Sequence, residues 1–168
     1  LILKELWEVY QFDLSLGGQG LSDVAGELLL EQSTPEERGV IAGWAREELP
    51  KGDDGRSSWR REVLGGFLLD LEAETLDDRA FLEVCRQTGR THDLVDRLLS
   101  LSRVDEAIAA AEGVSDYTLM GLADLFVEHG HAPMADALMR ERADTTGDSR
   151  VFEWLKRRYV ARGDNAAA

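Results

Sequence analysis

The sequence predicts an all-α fold, a right-handed α-solenoid of antiparallel helical hairpins. Two observations carry this. A leucine is followed four residues later by a large apolar residue and nine residues after that by an alanine: Leu94, Leu98, Ala107; then Leu122, Phe126, Ala135; then Leu155, Tyr159, Ala168, with a weaker copy at Phe67, Leu71, Ala80. The alanines stand 27, 28 and 33 residues apart, the period of one helical hairpin stacked on the next. Secondly, almost every boundary signal along the chain is a helix signal, and no segment alternates apolar and polar residues as a half-buried strand does.

The alanine has a steric reason. In an antiparallel hairpin the residue one turn into the second helix faces the bulky side chain one turn before the end of the first. Anything larger than a methyl there forces the axes beyond the roughly 8–10 Å packing distance. The residue five before each alanine, Thr75, Ser102, Gly130 or Gly163, is small or capping, as a tight turn requires.

The elements follow in order. Gly17 to Gly20 is a turn, with Ser22 suited to cap the next helix. Thr34-Pro35-Glu36-Glu37 is a capping box with proline at the first helical position; its helix runs through Val40, Ile41, Trp44 and Ala45 and stops before Pro50, and Lys51 to Gly55 is a polar loop. Ser57 and Ser58 are suited to cap a helix through Trp59, Val63 and Phe67, interleaved with Leu64, Leu68 and Leu71. Gly65 and Gly66 inside it each cost about 1 kcal/mol relative to alanine, which points to a close helix crossing. Thr75 opens a helix carrying Ala80, Phe81, Val84 and Cys85 that ends at Gly89, a left-handed end position.

Shorter hairpins follow. Thr91 begins a helix through Leu94, Leu98 and Leu101, and Ser102 its partner through Ala107, Ile108 and Ala111 to Gly113. Ser115 or Asp116 starts the helix of Leu119, Leu122 and Phe126, ending at Gly130; Pro133 lies in the first turn of its partner, with Ala135, Leu138 and Met139. After the polar loop Asp144 to Ser149, residues Val151, Phe152, Leu155 and Tyr159 line a last helix to Gly163. The division expected is an N-terminal helical region over 1–50 and about four hairpins over 56–168, the last one truncated. The absence of an initiator Met and the stop at Ala166 to Ala168, where a further helix should begin, suggest a segment of a longer protein.

Of the 168 residues 43% are hydrophobic, ample for a packed core. Nineteen Lys and Arg stand against 33 Asp and Glu, a net charge of −14 that repels phosphate backbones and anionic lipid. Nucleic acid is therefore a poor default partner for this segment. The charge is uneven: residues 1–37 carry −7, whereas Ser149 to Arg162 carry +4. Opposite ends of opposite sign permit a head-to-tail contact between chains or repeats; two solvated faces are the simpler reading. The one cysteine, Cys85, allows no internal disulfide and fits a reducing cytoplasm, and its apolar neighbours place it in the core. No apolar run approaches the roughly 18 residues of a membrane span.

Little in the chain reads as chemistry. His92-Asp93, and His129 and His131 around Gly130, have residue types used at metal sites, yet a divalent ion needs three or four convergent ligands. They read as first-turn and helix-end residues. The acidic pairs Asp53-Asp54 and Asp77-Asp78 fall in loops and helix starts rather than in a desolvated cleft. The run Trp154, Lys156, Arg157, Arg158, Tyr159 mixes cations with aromatics as surfaces gripping single strands do, but Leu155 and Tyr159 belong to the repeat core, leaving a solvated or partner-facing side. No catalytic residue, cofactor or metal is expected.

The leucine, aromatic and alanine spacing over roughly residues 67–168 resembles degenerate tetratricopeptide repeats; the glycine usual beside the first leucine is Val95, Ala123 and Lys156 here. A second resemblance is carried by Gly17-Gly18-Gln19-Gly20-Leu21-Ser22-Asp23, by Gly65-Gly66-Phe67-Leu68-Leu69-Asp70-Leu71-Glu72, and by Asp93-Leu94-Val95-Asp96-Arg97-Leu98-Leu99 leading to Arg103-Val104-Asp105-Glu106-Ala107. These segments are similar to the helical C-terminal regions of bacterial SWIM zinc-finger proteins. The zinc motif of that family, three cysteines and a histidine, is absent from this segment, so no ligand carries over.

The expected function is a non-enzymatic, cytoplasmic protein-interaction module that holds a protein or peptide, self-association included, in the groove formed by the first helices of stacked pairs. Arg97, Asp124, Glu128, Lys156 and Arg157 are the residues expected to line it. The alternative, implied by the second resemblance, is an accessory or oligomerisation domain of a nucleic-acid-associated SWIM protein.

Overall fold

The computed structural model describes residues 2–18, 20, 23–52 and 54–163. Among them every regular element is an α-helix. Ser22, Asp53 and Ala168, which bear on a helix start, an acidic pair and the third alanine, lie outside the described residues. The chain divides into two compact units, Leu1–Arg90 and Thr91–Ala168. The helices around Phe67 and Phe81, grouped with the array in the sequence reading, thus belong to the first unit.

The first unit holds α1 (Ile2–Ser15), α2 (Asp23–Glu31), α3 (Pro35–Glu47), α4 (Gly55–Leu71) and α5 (Asp78–Thr88). Helix α1 packs on α2, α3 on α4, and α4 on α5. The α3 capping box forms as its sequence dictates: the Glu37 N–H donates to Thr34 Oγ1 and the Thr34 N–H to the Glu37 carboxylate, at 3.3 and 2.8 Å. Two other helix starts differ from expectation. Asp54, not Ser57, caps α4, its Oδ1 accepting from the Arg56 and Ser57 N–H groups at 3.0 Å. Asp77, not Thr75, caps α5 through the Ala80 N–H at 2.8 Å. A carboxylate is favoured over a hydroxyl by the positive helix end, and in both cases it displaced the hydroxyl candidate.

Aromatic rings fill the centre of this unit. Tyr10 and Trp7 lie 4.7 and 6.1 Å from Phe67, and Trp44 closes on Trp7 at 6.4 Å. The α4/α5 crossing is close because Gly65 has no side chain: a Cβ there would overlap Thr88. Thr88 is buried and donates its hydroxyl to the Val84 carbonyl at 2.7 Å.

The second unit holds α6 (Thr91–Ser100), α7 (Val104–Ala111), α8 (Asp116–Glu128), α9 (Ala132–Ala143) and α10 (Ser149–Ala161). Helices α6 and α7 form one hairpin and α8 and α9 another; α8 also packs on α6, and α10 on α8 and α9. In the first two copies of the series Leu94, Leu98, Ala107, Leu122, Phe126 and Ala135 are buried; in the third Leu155 is buried but Tyr159 is only half-buried, because it lies on the last helix with no described helix beyond it to cover it. In the weaker copy Ala80 is only half-buried.

The two tight turns share a mechanism. Gly130 takes φ +83° and the next N–H, of His131, returns to the Phe126 carbonyl at 2.7 Å. Ser102 takes φ +59°, and the Arg103 N–H returns to Leu98 at 2.8 Å. Both are left-handed helix endings that satisfy carbonyls of the last turn. Ser102 is therefore the end of α6 rather than the cap of α7, whose start at Arg103 has no side-chain cap.

Candidate functional site

Helix α1 is apolar on two sides. At 100° per residue, Trp7, Tyr10 and Leu14 point into the aromatic core and are buried. Ile2, Val9 and Phe12 form a second stripe on the outside, 72%, 49% and 62% exposed, with Glu5 and Glu8 exposed among and beside them. Beside this stripe runs a groove of about 470 Å³ lined by Lys4, Trp7, Glu8, Gln11, Phe12 and Arg60, among others. A second hollow of about 270 Å³ adjoins Lys4, Trp7, Trp44, Glu47 and Glu48. Phe12 and Glu8 belong to both stripe and groove, which makes them one surface.

The groove is held by the start of α4. Arg60 Nη2 donates to Gln11 Oε1 at 2.7 Å and lies 3.8 Å from Glu48, while Arg56 Nη2 donates to the Ser15 carbonyl at 3.0 Å. A cation at that carbonyl also suits the negative C-terminal end of α1. Gln11 Nε2 and Arg60 Nε are buried with no acceptor among the described residues, so the floor offers donors and the rim offers carboxylates. Over the groove and the hollow together Glu8, Glu47 and Glu48 stand against Lys4 and Arg60, a slight acidic excess that favours cations attached to apolar surface.

The residues expected to line an interface lie on three helices of the second unit. Arg97 is half-buried on α6 and Glu128 is exposed in the last turn of α8. Asp124 is exposed on α8, its Oδ1 accepting from the Trp154 indole N–H at 2.8 Å. Lys156 and Arg157 are exposed on α10. None of the five lines the cavity of about 260 Å³ beside Ala111, Leu119, Leu138 and Arg142. On α10 Lys156 falls between two exposed apolar residues, Phe152 and Val160.

The titratable residues serve mainly as ties. His129 Nε2 meets Asp96 Oδ1 at 2.7 Å, joining α8 to α6; His92 is exposed in the first turn of α6 and His131 precedes α9. Among the described residues no three His, Cys, Asp or Glu converge as metal ligands. Cys85 is buried, as its apolar neighbours indicate. Asp77 caps α5. Asp116 accepts from the Thr146 hydroxyl and from Arg142 Nη1, at 2.5 and 2.6 Å, and these bonds hold its carboxyl below the usual carboxylate range. Arg150 does the same for Asp148 through side-chain and backbone hydrogen bonds.

Two features escaped the sequence reading. The outer stripe of α1 had a signal, apolar residues at Ile2, Val9 and Phe12 out of phase with Trp7, Tyr10 and Leu14. The other is Asp136 on α9, 1% exposed, which meets Arg158 of α10 at 3.4 Å and Arg162, just past its end, at 2.7 Å. Nothing local distinguishes that aspartate from its exposed neighbours. No helix among the described residues is long and apolar enough to cross a membrane. Compared with protein-family models, with curated proteins and with solved structures, the chain matches none.

Proposed function

We propose that this chain is a non-enzymatic protein-interaction module that receives a basic, amphipathic segment of a partner on the outer face of α1. The observation that carries the reading is the exposed stripe of Ile2, Val9 and Phe12, edged by glutamates and continuous with the groove at Trp7 and Trp44. A contiguous apolar surface left in water is costly unless something covers it. The acidic rim selects a covering segment that carries lysine or arginine beside its apolar residues. A helix presenting apolar positions at i, i+4 and i+8 matches the geometry of such a face.

The second unit reads as a short α-solenoid of tetratricopeptide-like pairs. What supports this is the burial of Ala107 and Ala135 and the common left-handed endings at Ser102 and Gly130. In this reading the array contributes rigidity, and the partner meets the acidic end of the chain.

The test uses two synthetic helical peptides with the same apolar positions, one flanked by lysines and one by glutamates. The lysine peptide is expected to bind, and the Val9→Ser/Phe12→Ser variant is expected to weaken that binding at least ~10-fold. Equal binding of both peptides, or binding unchanged in the variant, overturns the reading.

A further inference from the structure

We infer that the segment covering α1 is α10 of a second copy of the chain, so that copies associate head to tail. The inference rests on the reading of α1 above and adds the identity of the occupant.

Helix α10 mirrors α1 in pattern and opposes it in charge. Its inner side is buried through Val151, Trp154 and Leu155; its outer side exposes Phe152 and Val160, 49% and 53% accessible, with Lys156 between them. The spacing 152, 156, 160 puts the three on one stripe, and Arg157 flanks it. The other cations of this helix are already held, Arg158 and Arg162 by Asp136 and Arg150 by Asp148. Lys156 and Arg157 outnumber the exposed Glu153 on this side and give it a net positive sign.

Charge decides how such faces pair. Two α1 faces brought together would oppose Glu5 and Glu8 to themselves, and two α10 faces would oppose Lys156 and Arg157 to themselves. The mixed pairing sets more carboxylates against cations than either self-pairing, in which only Lys4 or Glu153 supplies the opposite sign, and it covers apolar residues on both sides. Because the two faces lie on different helices, the contact is heterologous and propagates into a ring or an open chain rather than closing as a two-fold dimer. One helix face on another falls in the weak class, below about 1,200 Å² of buried surface, so association is reversible and weakened by salt.

Sedimentation velocity of the full chain tests this over about 1–200 μM at low and high salt. The wild-type mass average is expected to rise with concentration and to fall with salt. Two variants break one face each, Val9→Ser/Phe12→Ser on α1 and Phe152→Ser/Val160→Ser on α10. All four positions are exposed, and circular dichroism checks that both variants fold. Each alone is expected to self-associate at least ~10-fold more weakly. Mixed in equal amounts they retain one intact face of each kind and are expected to form a one-to-one dimer that grows no further. A wild-type chain monomeric at every concentration, an α10 variant that associates like wild type, or a mixture that stays monomeric overturns the inference. The lysine-peptide experiment reads α1 separately, so binding there with no self-association would leave the interaction reading standing and this one refuted.

Discussion

Helices of the first unit meet through aromatic rings and an absent side chain, whereas those of the second bury small alanines and large apolar residues and are joined by charged ties between successive helices. In the first, Trp7, Tyr10, Trp44 and Phe67 come from α1, α3 and α4, and Gly65 lets α5 close on α4. Its main cross-helix ion pair, Arg46 with Glu72 at 2.5 Å, lies toward the surface. In the second, Asp136 is buried between α9 and α10, Arg142 ties α9 back to Asp116, and Asp124 holds Trp154. The contrast teaches where each unit is vulnerable: the first to added volume, the second to a lost charge.

The largest effect is expected from the double substitution Arg158→Met/Arg162→Met. It strands the Asp136 carboxylate without partners, and an uncompensated buried charge costs about 3–5 kcal/mol. Urea denaturation measures it; a loss below about 1 kcal/mol would mean that the carboxylate is not buried as described. Adding a methyl group at the α4/α5 crossing comes next. Gly65→Ala gains about 1 kcal/mol in helix propensity, but its Cβ overlaps the Thr88 side chain, so a net loss of about 1–3 kcal/mol is expected. Gly43→Ala in α3, where a Cβ meets nothing within 4 Å, is the control and should be stabilising. If both variants gain, the close crossing is refuted.

Ser102→Gly sharpens the comparison from the other side. A serine at φ +59° carries strain that glycine lacks, so the substitution should stabilise the α6/α7 hairpin by about 0.5–1 kcal/mol. A destabilised variant would contradict the left-handed turn. The smallest effect concerns Asp116, whose carboxyl is held low by Thr146 and Arg142. A folded-state value below the unfolded one contributes stability above about pH 4, lost as pH falls through the folded value. Asp116→Asn should therefore be less stable than wild type at pH 7, and the difference should shrink as pH falls below about 4. A difference that persists in acid would show that charge is not what Asp116 supplies.

Much of the second unit was legible in the sequence because its contacts are local. The residues of each spacing series stand within about 13 positions of each other, so the burial of Leu98 and Ala107, or of Phe126 and Ala135, can be read from local spacing. The first unit's centre joins Trp7 to Phe67 across sixty positions, and no periodicity encodes that. Helix starts failed where two capping candidates stood close together: Asp54 displaced Ser57, and Asp77 displaced Thr75. The outer face of α1 was readable in principle, since its apolar residues fall in two phases, but its exposure depends on which phase the neighbouring helices cover. Asp136 was not readable at all, because its partners arrive from 22 and 26 residues downstream. Of the residues expected at an interface, Asp124 is exposed but accepts from Trp154, a bond no local pattern signals, and Lys156 is exposed on α10.

Hydrogen exchange of the chain with and without the lysine-flanked helical peptide tests the central claim most directly, because it asks which region receives a partner. Slowed exchange concentrated in α1, with α6 and α8 unchanged, is the result this account predicts. Protection confined to α6 and α8, with α1 exchanging as in the free chain, would contradict it and move the interface to α6 and α8.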